Sequence, residues 1–511
     1  MASRTKKAKI NIIVSLIGQV VTFICGIVVP KLFLDAFGSE QYGATSSIGG
    51  FLSYITLLDA GVGSVSRAAL YKAFAKKDTV EISKCVCETK NFFRKVAYVY
   101  IAYIAVIAVF YDKIAKDNTL EFWFTFALVI VIAISSFAEY FIGISYSMLV
   151  QADQRGYIIN IIKIVTYVLN VGVIILLIKL PSNPSIIWVK LGSSLVFVLR
   201  PLLLSVYAKR KYKLVDVEVK SGEMLKQKGY ALGNHIAYTV HGHTDTTVLT
   251  FFANLSFVSV YSVYHMVISR IQNIAAAFTG DMEAVFGSMM AEGKQETVNR
   301  TFGYYETLIS LITNTLFSVT AVMMIPFVGL YTAKVSAKEG LNYIYPAFSL
   351  MLTVSSVLFC MRQPYGKTVL AAGHFKQTQW AGYGEAIVNM GLSILLVLIL
   401  PEQYKLLGVA IGTVAATAFR FVYYAVYISK NLIMRPIRLC IKRLLVNGGM
   451  FATVYLLGNV ITGFFDINNY FIWAVAAVAV GVMALAVTLA VNCVFYFNDV
   501  KTIFKKTLSR K

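Results

Sequence analysis

Arg67, Arg270 and Arg362 stand within or beside long apolar stretches. A guanidinium is a permanently charged fork that holds phosphate oxygens in pairs. Arg270 is the most telling of the three, since it lies about a dozen residues from either end of its stretch, too deep for its stem to reach water easily. Arginines in such surroundings suit an anionic, phosphate-bearing ligand. The other reading is internal pairing with Asp59, Glu139, Asp245, Asp281, Glu283 or Glu385, and Arg420 belongs to the same question. A second constellation is Asn234, His235, Tyr238, His241, Gly242, Asp245 and Thr246, whose spacings of three and four put them on one helical face. A stripe with two imidazoles and a carboxylate suits the wall of a wet cavity, and Asp245 and Glu139 are the carboxylates placed to carry a coupling proton or sodium ion. His241 and His243 lack the i, i+4 spacing of a helical zinc pair, so neither a metal site nor a cofactor is expected.

These residues are carried by about fourteen apolar segments: 10–34, 42–66, 92–111, 121–149, 157–179, 185–207, 229–252, 258–287, 301–331, 342–371, 377–400, 406–429, 444–463 and 470–497. With 58% hydrophobic and 14% charged residues over 511 positions, the chain is too apolar for a soluble domain. Uninterrupted apolar runs of this length satisfy their backbone in lipid only as helices, which predicts an all-α polytopic membrane protein. Lysine and arginine alternate between connections. With a cytoplasmic amino terminus, inward-facing links carry roughly 33 of them and outward-facing links about 6, as the positive-inside rule requires. Both termini are therefore placed in the cytoplasm. The basic start followed by a long apolar run reads as an uncleaved first helix.

An internal repeat organises the segments. Residues 146–179 align without gaps on 365–398 at an offset of 219, pairing Tyr146 with Tyr365, Val150 with Val369, Asn170 with Asn389 and Gly172 with Gly391. Neighbouring offsets set 75–84 over 291–300 and bring Asn11 onto Asn234. The expected architecture is a pair of six-helix pseudo-symmetric lobes, 1–208 and 229–430, joined by a cytoplasmic linker at 209–228. Two additional helices and a basic tail follow at 431–511. An even helix number per repeat gives both lobes one orientation, with the pseudo-axis along the membrane normal and a cleft between them. The polar stripe of the first segment (Asn11, Ser15, Gly18, Gln19, Thr22, Gly26) would face that of the seventh across it, or else serve as a small-residue packing face. Gly408 and Gly412 mark close helix packing.

Several classes are excluded. The net charge of +22 is a cytoplasmic charge rim suited to anionic lipid headgroups, not a nucleic-acid surface. No Walker A sequence is present, so the chain is not itself an ATP-driven pump. The short outer loops leave no room for an extracytoplasmic catalytic domain, and no enzymatic activity is expected. Cys85 and Cys87 fall on a cytoplasmic loop where thiols stay reduced, and Lys163, Arg200 and Lys367 lie near inner ends, where they can snorkel to headgroups.

The stretches Asn11-Ile12-Ile13, Val29-Pro30-Lys31-Leu32, Phe37-Gly38-Ser39-Glu40-Gln41-Tyr42-Gly43, Leu57-Leu58-Asp59-Ala60-Gly61-Val62-Gly63 and Arg67-Ala68-Ala69-Leu70-Tyr71 resemble the start of bacterial polysaccharide-transporter flippases. These share a superfamily with multidrug-and-toxin extrusion transporters and the lipid II flippase. The resemblance implies two lobes about a cationic cavity, working by alternating access in the bacterial cytoplasmic membrane. It also implies an undecaprenyl-pyrophosphate-linked oligosaccharide as substrate, and the polymerase and glycosyltransferases of surface polysaccharide synthesis (capsule, O-antigen or exopolysaccharide) as partners of a monomer. Arg67 lies in the matching stretch, whereas Arg270 and Arg362 rest on their depth. A cation-coupled multidrug exporter and a peptidoglycan-precursor flippase are the alternatives.

Overall fold

The computed structural model describes residues 2–508 other than 60, 61, 77, 116–119, 216, 218–228, 281, 294 and 434, with the backbone alone at 2–9, 59, 64, 65, 68, 229–238, 240, 241, 375, 504 and 506–508. Every element among these residues is helical, as apolar runs in lipid demand. Ten stretches among the described residues are long and apolar enough to cross a membrane, and the protein is an all-α multi-pass membrane protein. The segments read from sequence map onto helices with two refinements. The first and second share one helix, bent where Gly38 takes φ 81°, a backbone conformation that glycine alone adopts without strain. The seventh, eighth and tenth are helical but are not among the ten, because polar residues or a break at Arg362 interrupt their apolar character.

The chain divides into two compact units, residues 1–260 and 261–511. The first contains α1 (Ala2–Ser53), α2 (Val62–Lys76), α3 (Thr79–Ile114), α4 (Phe122–Ala138), α5 (Ile144–Ala152), α6 (Gly156–Lys179), α7 (Ile186–Lys211) and α8 (Gly229–Phe252). Asp78 starts α3 by accepting from the backbone N–H groups of Val80 and Glu81 at 2.9 and 3.0 Å, which satisfies two of the donors every helix start leaves open. Phe93, Tyr100 and Tyr111 of α3 are fully buried, and Tyr103 donates to the Phe51 carbonyl at 2.7 Å, close to where α1 gives way to a 3₁₀ turn at Tyr54–Asp59. Between α4 and α5 the rod continues through one π-helical turn, Glu139–Gly143. Such turns insert an extra residue into the ladder and re-aim side chains.

The second unit holds most of α9 (Leu255–Ala277), then α10 (Met282–Ala291), α11 (Gln295–Glu339), α12 (Pro346–Met361), α13 (Gln363–Ala371), α14 (Phe375–Ile399), α15 (Lys405–Asn431), α16 (Ile437–Thr462), α17 (Tyr470–Phe495) and α18 (Phe497–Leu508). The long α11 carries α12, α16 and α17 along its length. Helices α14 and α15 are in close contact, since a Cβ on Gly412 would stand 2.9 Å from the Ser393 backbone N and one on Gly408 3.0 Å from Leu396 Cβ. The unit boundary at 260 leaves α8 with the first unit, whereas the repeat-based division sets it at the start of the second lobe.

Candidate functional site

Side chains of α8 beside the polar stripe, and Thr246 of the stripe itself, face α1 and its 3₁₀ extension. Ser47 and Thr250 share a hydroxyl hydrogen bond of 2.7 Å, Tyr54 and Thr247 one of 3.0 Å, and Thr56 and Thr239 one of 3.5 Å. The Tyr54 ring meets His243 edge-on at 5.8 Å, and Gly50 leaves room for the Thr246 methyl group. Asp245 is buried in the same helix at 2% exposure. Asn234, Tyr238 and His241 lie on α8, and their side chains are outside the described residues. The stripe of the first segment opens with a packing role. Asn11 donates to the Gln154 carbonyl at 2.9 Å and accepts from the Tyr157 N–H at 2.6 Å, which caps α6.

The arginines fall into two groups. Arg362, at the joint between α12 and α13, and Arg420 of α15 both bind Glu385 of α14, whose side chain is wholly buried. Arg420 also donates to the Tyr424 hydroxyl at 3.0 Å, and the Arg362 guanidinium lies 4.7 Å from the centre of the Phe359 ring. Arg362 is thus engaged in internal pairing, the alternative its sequence context left open. A second buried carboxylate, Glu306 of α11, receives Arg435 at 2.7 Å, Arg443 at 3.2 Å and the Tyr365 hydroxyl. Burial works against the charge of Arg435, which lies between α15 and α16, but Glu306 beside it outweighs this and raises its pKa.

Arg67 and Arg270 stand apart. Each is half-buried and neither forms an ion pair among the described residues; the Nε of Arg270 is buried with no hydrogen-bond partner. A buried guanidinium N–H without an acceptor is costly, which makes Arg270 a natural contact for an incoming anion.

The first unit contains a cavity of about 330 Å³ formed by α4, the π turn, α5, α6 and α7. Its polar lining is Ser135, Ser136, Glu139, Ser147, Lys163 and Arg200, with Ile159, Ile162 and Leu204 as an apolar wall. Glu139 sits on the π turn, and its carboxylate makes no ion pair or hydrogen bond among the described residues, though it interacts electrostatically with Arg200. Arg200 donates Nε to Thr166 Oγ1 at 2.7 Å and is stacked at 4.2 Å on Phe197 and 4.5 Å on Tyr167; its Nη2 is buried with no partner. Lys163 lies 5.9 Å from the Tyr167 ring centre. Gly143 makes space for the carboxylate, since a Cβ there would stand 2.6 Å from Glu139 Oε1. Lys163 and Arg200 read from sequence as headgroup-seeking side chains. Nothing in their spacing joins them to Glu139; the packing of α6 and α7 against the π turn does.

No family model and no curated protein matches the sequence. Solved structures do. One in an inward-facing conformation, of a multidrug resistance MATE family transporter of the MOP superfamily, superposes with a TM-score of 0.62 at 15% identity, covering 80% of this chain and 94% of that one. The lipid II flippase MurJ in an inward closed conformation superposes with a TM-score of 0.64 at 13% identity, covering 96% of this chain and 99% of that one. The chain shares its fold with both of these proteins.

Proposed function

We propose that the chain is a flippase that moves undecaprenyl-pyrophosphate-linked oligosaccharide repeat units from the inner to the outer leaflet of the bacterial cytoplasmic membrane, for surface polysaccharide synthesis. The observation that carries the reading is the charge balance of the helix bundle. The buried carboxylates Glu385 and Glu306 are already engaged by arginines. Arg67 and Arg270 have no counter-charge among the described residues. Two guanidiniums without an ion pair among the described residues favour a pyrophosphate and disfavour a cationic drug. In this reading Arg67 and Arg270 hold the pyrophosphate. Arg362 contributes field through a triad of two arginines and one glutamate. Asn234, Tyr238 and His241 meet sugar hydroxyls, and the prenyl tail stays in lipid. Alternating access is driven by a proton or sodium ion on Asp245 or Glu139.

The likeness to MurJ along nearly the whole chain keeps a peptidoglycan-precursor headgroup as a second reading, and the MATE likeness keeps a multidrug exporter. Flipping of a fluorescent undecaprenyl-pyrophosphate oligosaccharide in proteoliposomes, with and without a pH or sodium gradient, separates the three. Arg270→Gln removes charge-assisted contacts worth about 1.5–3 kcal/mol and is expected to slow flipping roughly ten- to hundredfold. An unchanged rate in this variant, or gradient-driven export of a cationic dye with no flipping, sinks the proposal. Gly143→Ala tests the Glu139 role separately. It pushes the carboxylate aside by a side-chain movement, so it is expected to cost less than about 1 kcal/mol in stability while matching Glu139→Gln in gradient dependence. A Gly143→Ala variant with wild-type coupling would remove Glu139 from that role.

A further inference from the structure

The transport reading uses the cavity in the first unit only through Glu139, and the rest of its composition calls for a second role. Two cations, Lys163 and Arg200, face one carboxylate, Glu139, and three serine hydroxyls complete the polar lining. Glu139 interacts electrostatically with Arg200 without an ion pair between them among the described residues, and with two cations against one carboxylate the cavity keeps a net positive charge. Arg200 is pre-organised. Its plane is fixed between Phe197 and Tyr167, its Nε is committed to Thr166, and its Nη2 is buried with nothing to donate to. A guanidinium held in one orientation with an unused buried donor is half of a bidentate anion site. Lys163 supplies a mobile point charge and the serines supply neutral donors. A drug-cation site would have the opposite charge balance. The cavity volume of about 330 Å³ has room for a headgroup.

We propose that this cavity binds a phosphate-bearing anion, either the phosphate monoester headgroup of a lipid or free phosphate, through Arg200 and Lys163, with Glu139 opposing it. The apolar wall of Ile159, Ile162 and Leu204 favours the lipid. The site lies within the first unit and stands whether or not the chain flips sugars.

The test is equilibrium binding to the full-length protein, delipidated in detergent, read by native mass spectrometry and calorimetry. Three probes are used: dioctanoyl phosphatidic acid, inorganic phosphate and dioctanoyl phosphatidylcholine. Arg200→Gln is expected to weaken phosphatidic acid binding about tenfold or more, through loss of a charged donor. Lys163→Gln weakens it several-fold, and Glu139→Gln tightens it several-fold by removing a like charge from the cavity. Lys113→Gln, an equal change of charge at an exposed site, leaves it unchanged. Phosphatidic acid binding alone assigns the lipid source; inorganic phosphate binding with the same variant pattern assigns the free anion. Equal binding of phosphatidylcholine, or Arg200→Gln and Glu139→Gln both binding as the wild type does, overturns the site. Should Arg200→Gln not fold, Glu139→Gln decides, with tightening in support and anything else against.

Discussion

Glu385→Ala is expected to destabilise the second unit by about 3–5 kcal/mol, the usual consequence of removing one partner from a buried ion pair. The magnitude follows from who is left behind. Arg362 and Arg420 are 5% and 8% exposed and both direct a guanidinium nitrogen at this one carboxylate. Without it two like charges face each other in a site that water cannot reach, and Tyr424 offers only a neutral oxygen. The triad also joins α14 and α15 to the joint between α12 and α13, so the damage spreads along three contacts. Glu385→Gln keeps the shape and one of the two acceptor oxygens, turning an amide N–H toward the other arginine, and should lose somewhat less. Replacing all three residues by apolar ones of similar volume (Arg362→Met, Glu385→Leu, Arg420→Met) should recover most of the loss, because the desolvation of three charges disappears with them. Thermal and denaturant unfolding of the purified protein in one detergent measures the series. A single Glu385→Ala variant within about 1 kcal/mol of wild type would mean that the charges are hydrated and the triad is not a structural lock.

The repeat was open to inspection in the sequence, and local geometry agrees with it at positions sequence could not reach. At the offset of about 219 residues, the turn residue Gln154 falls on Gly373. Gln154 has φ 58° and Gly373 φ 71°, and both follow a short helix and precede a long one. Gln154 is the one non-glycine residue with positive φ among those described, a conformation that costs a side chain about 1–2 kcal/mol. Aligned partners are also buried alike, with Tyr146 and Tyr365 at 4% and 5% and Asn170 and Asn389 at 2% and 0%. The helical class was legible for a simple reason: in lipid a long apolar run has one outcome, and tertiary context cannot override it.

The site was less legible because charge at membrane depth states that a partner is needed and not which one. Six carboxylates were open to Arg362, and only the packing of α12, α14 and α15 selects Glu385. Glu306 went unnoticed for the same reason. Its partners Arg435 and Arg443 lie more than a hundred residues away, and the amphipathic α18 brings Asp499 to Arg443 at 2.9 Å as well. The sequence places Lys163 and Arg200 only by their distance to a helix end, a one-dimensional measure. The π turn at Glu139 makes that measure insufficient, since the extra residue re-aims a carboxylate toward the neighbouring helices. Gly143 was the available hint, as a small residue four positions after a membrane carboxylate.

Gly43→Ala is expected to be among the most damaging single-carbon additions to this chain. Gly43 belongs to the motif Phe37-Gly38-Ser39-Glu40-Gln41-Tyr42-Gly43, and it lies past the bend in α1. A Cβ there would stand 1.9 Å from the Leu255 carbonyl oxygen, 2.7 Å from its carbon and 3.3 Å from the Ser259 amide nitrogen. All three atoms are backbone at the start of α9, so no rotamer change relieves the contact and one helix must move off the other. Overpacking of this kind costs about 1–3 kcal/mol and more where backbone must shift; the expected loss is at the top of that range. Separation of α1 from the start of α9 would also strain the hydroxyl seam to α8, where Ser47 and Thr250 lie 2.7 Å apart. Gly448→Ala is the matched control. It lies within α16 with no atom inside 4 Å of the added carbon, so relief from glycine's backbone entropy should raise stability by about 0.5–1 kcal/mol. Opposite shifts of the two melting temperatures are the expected result. If both variants melt together above the wild type, α1 does not approach the α9 backbone this closely, and Gly43 is a helix weakness like any other.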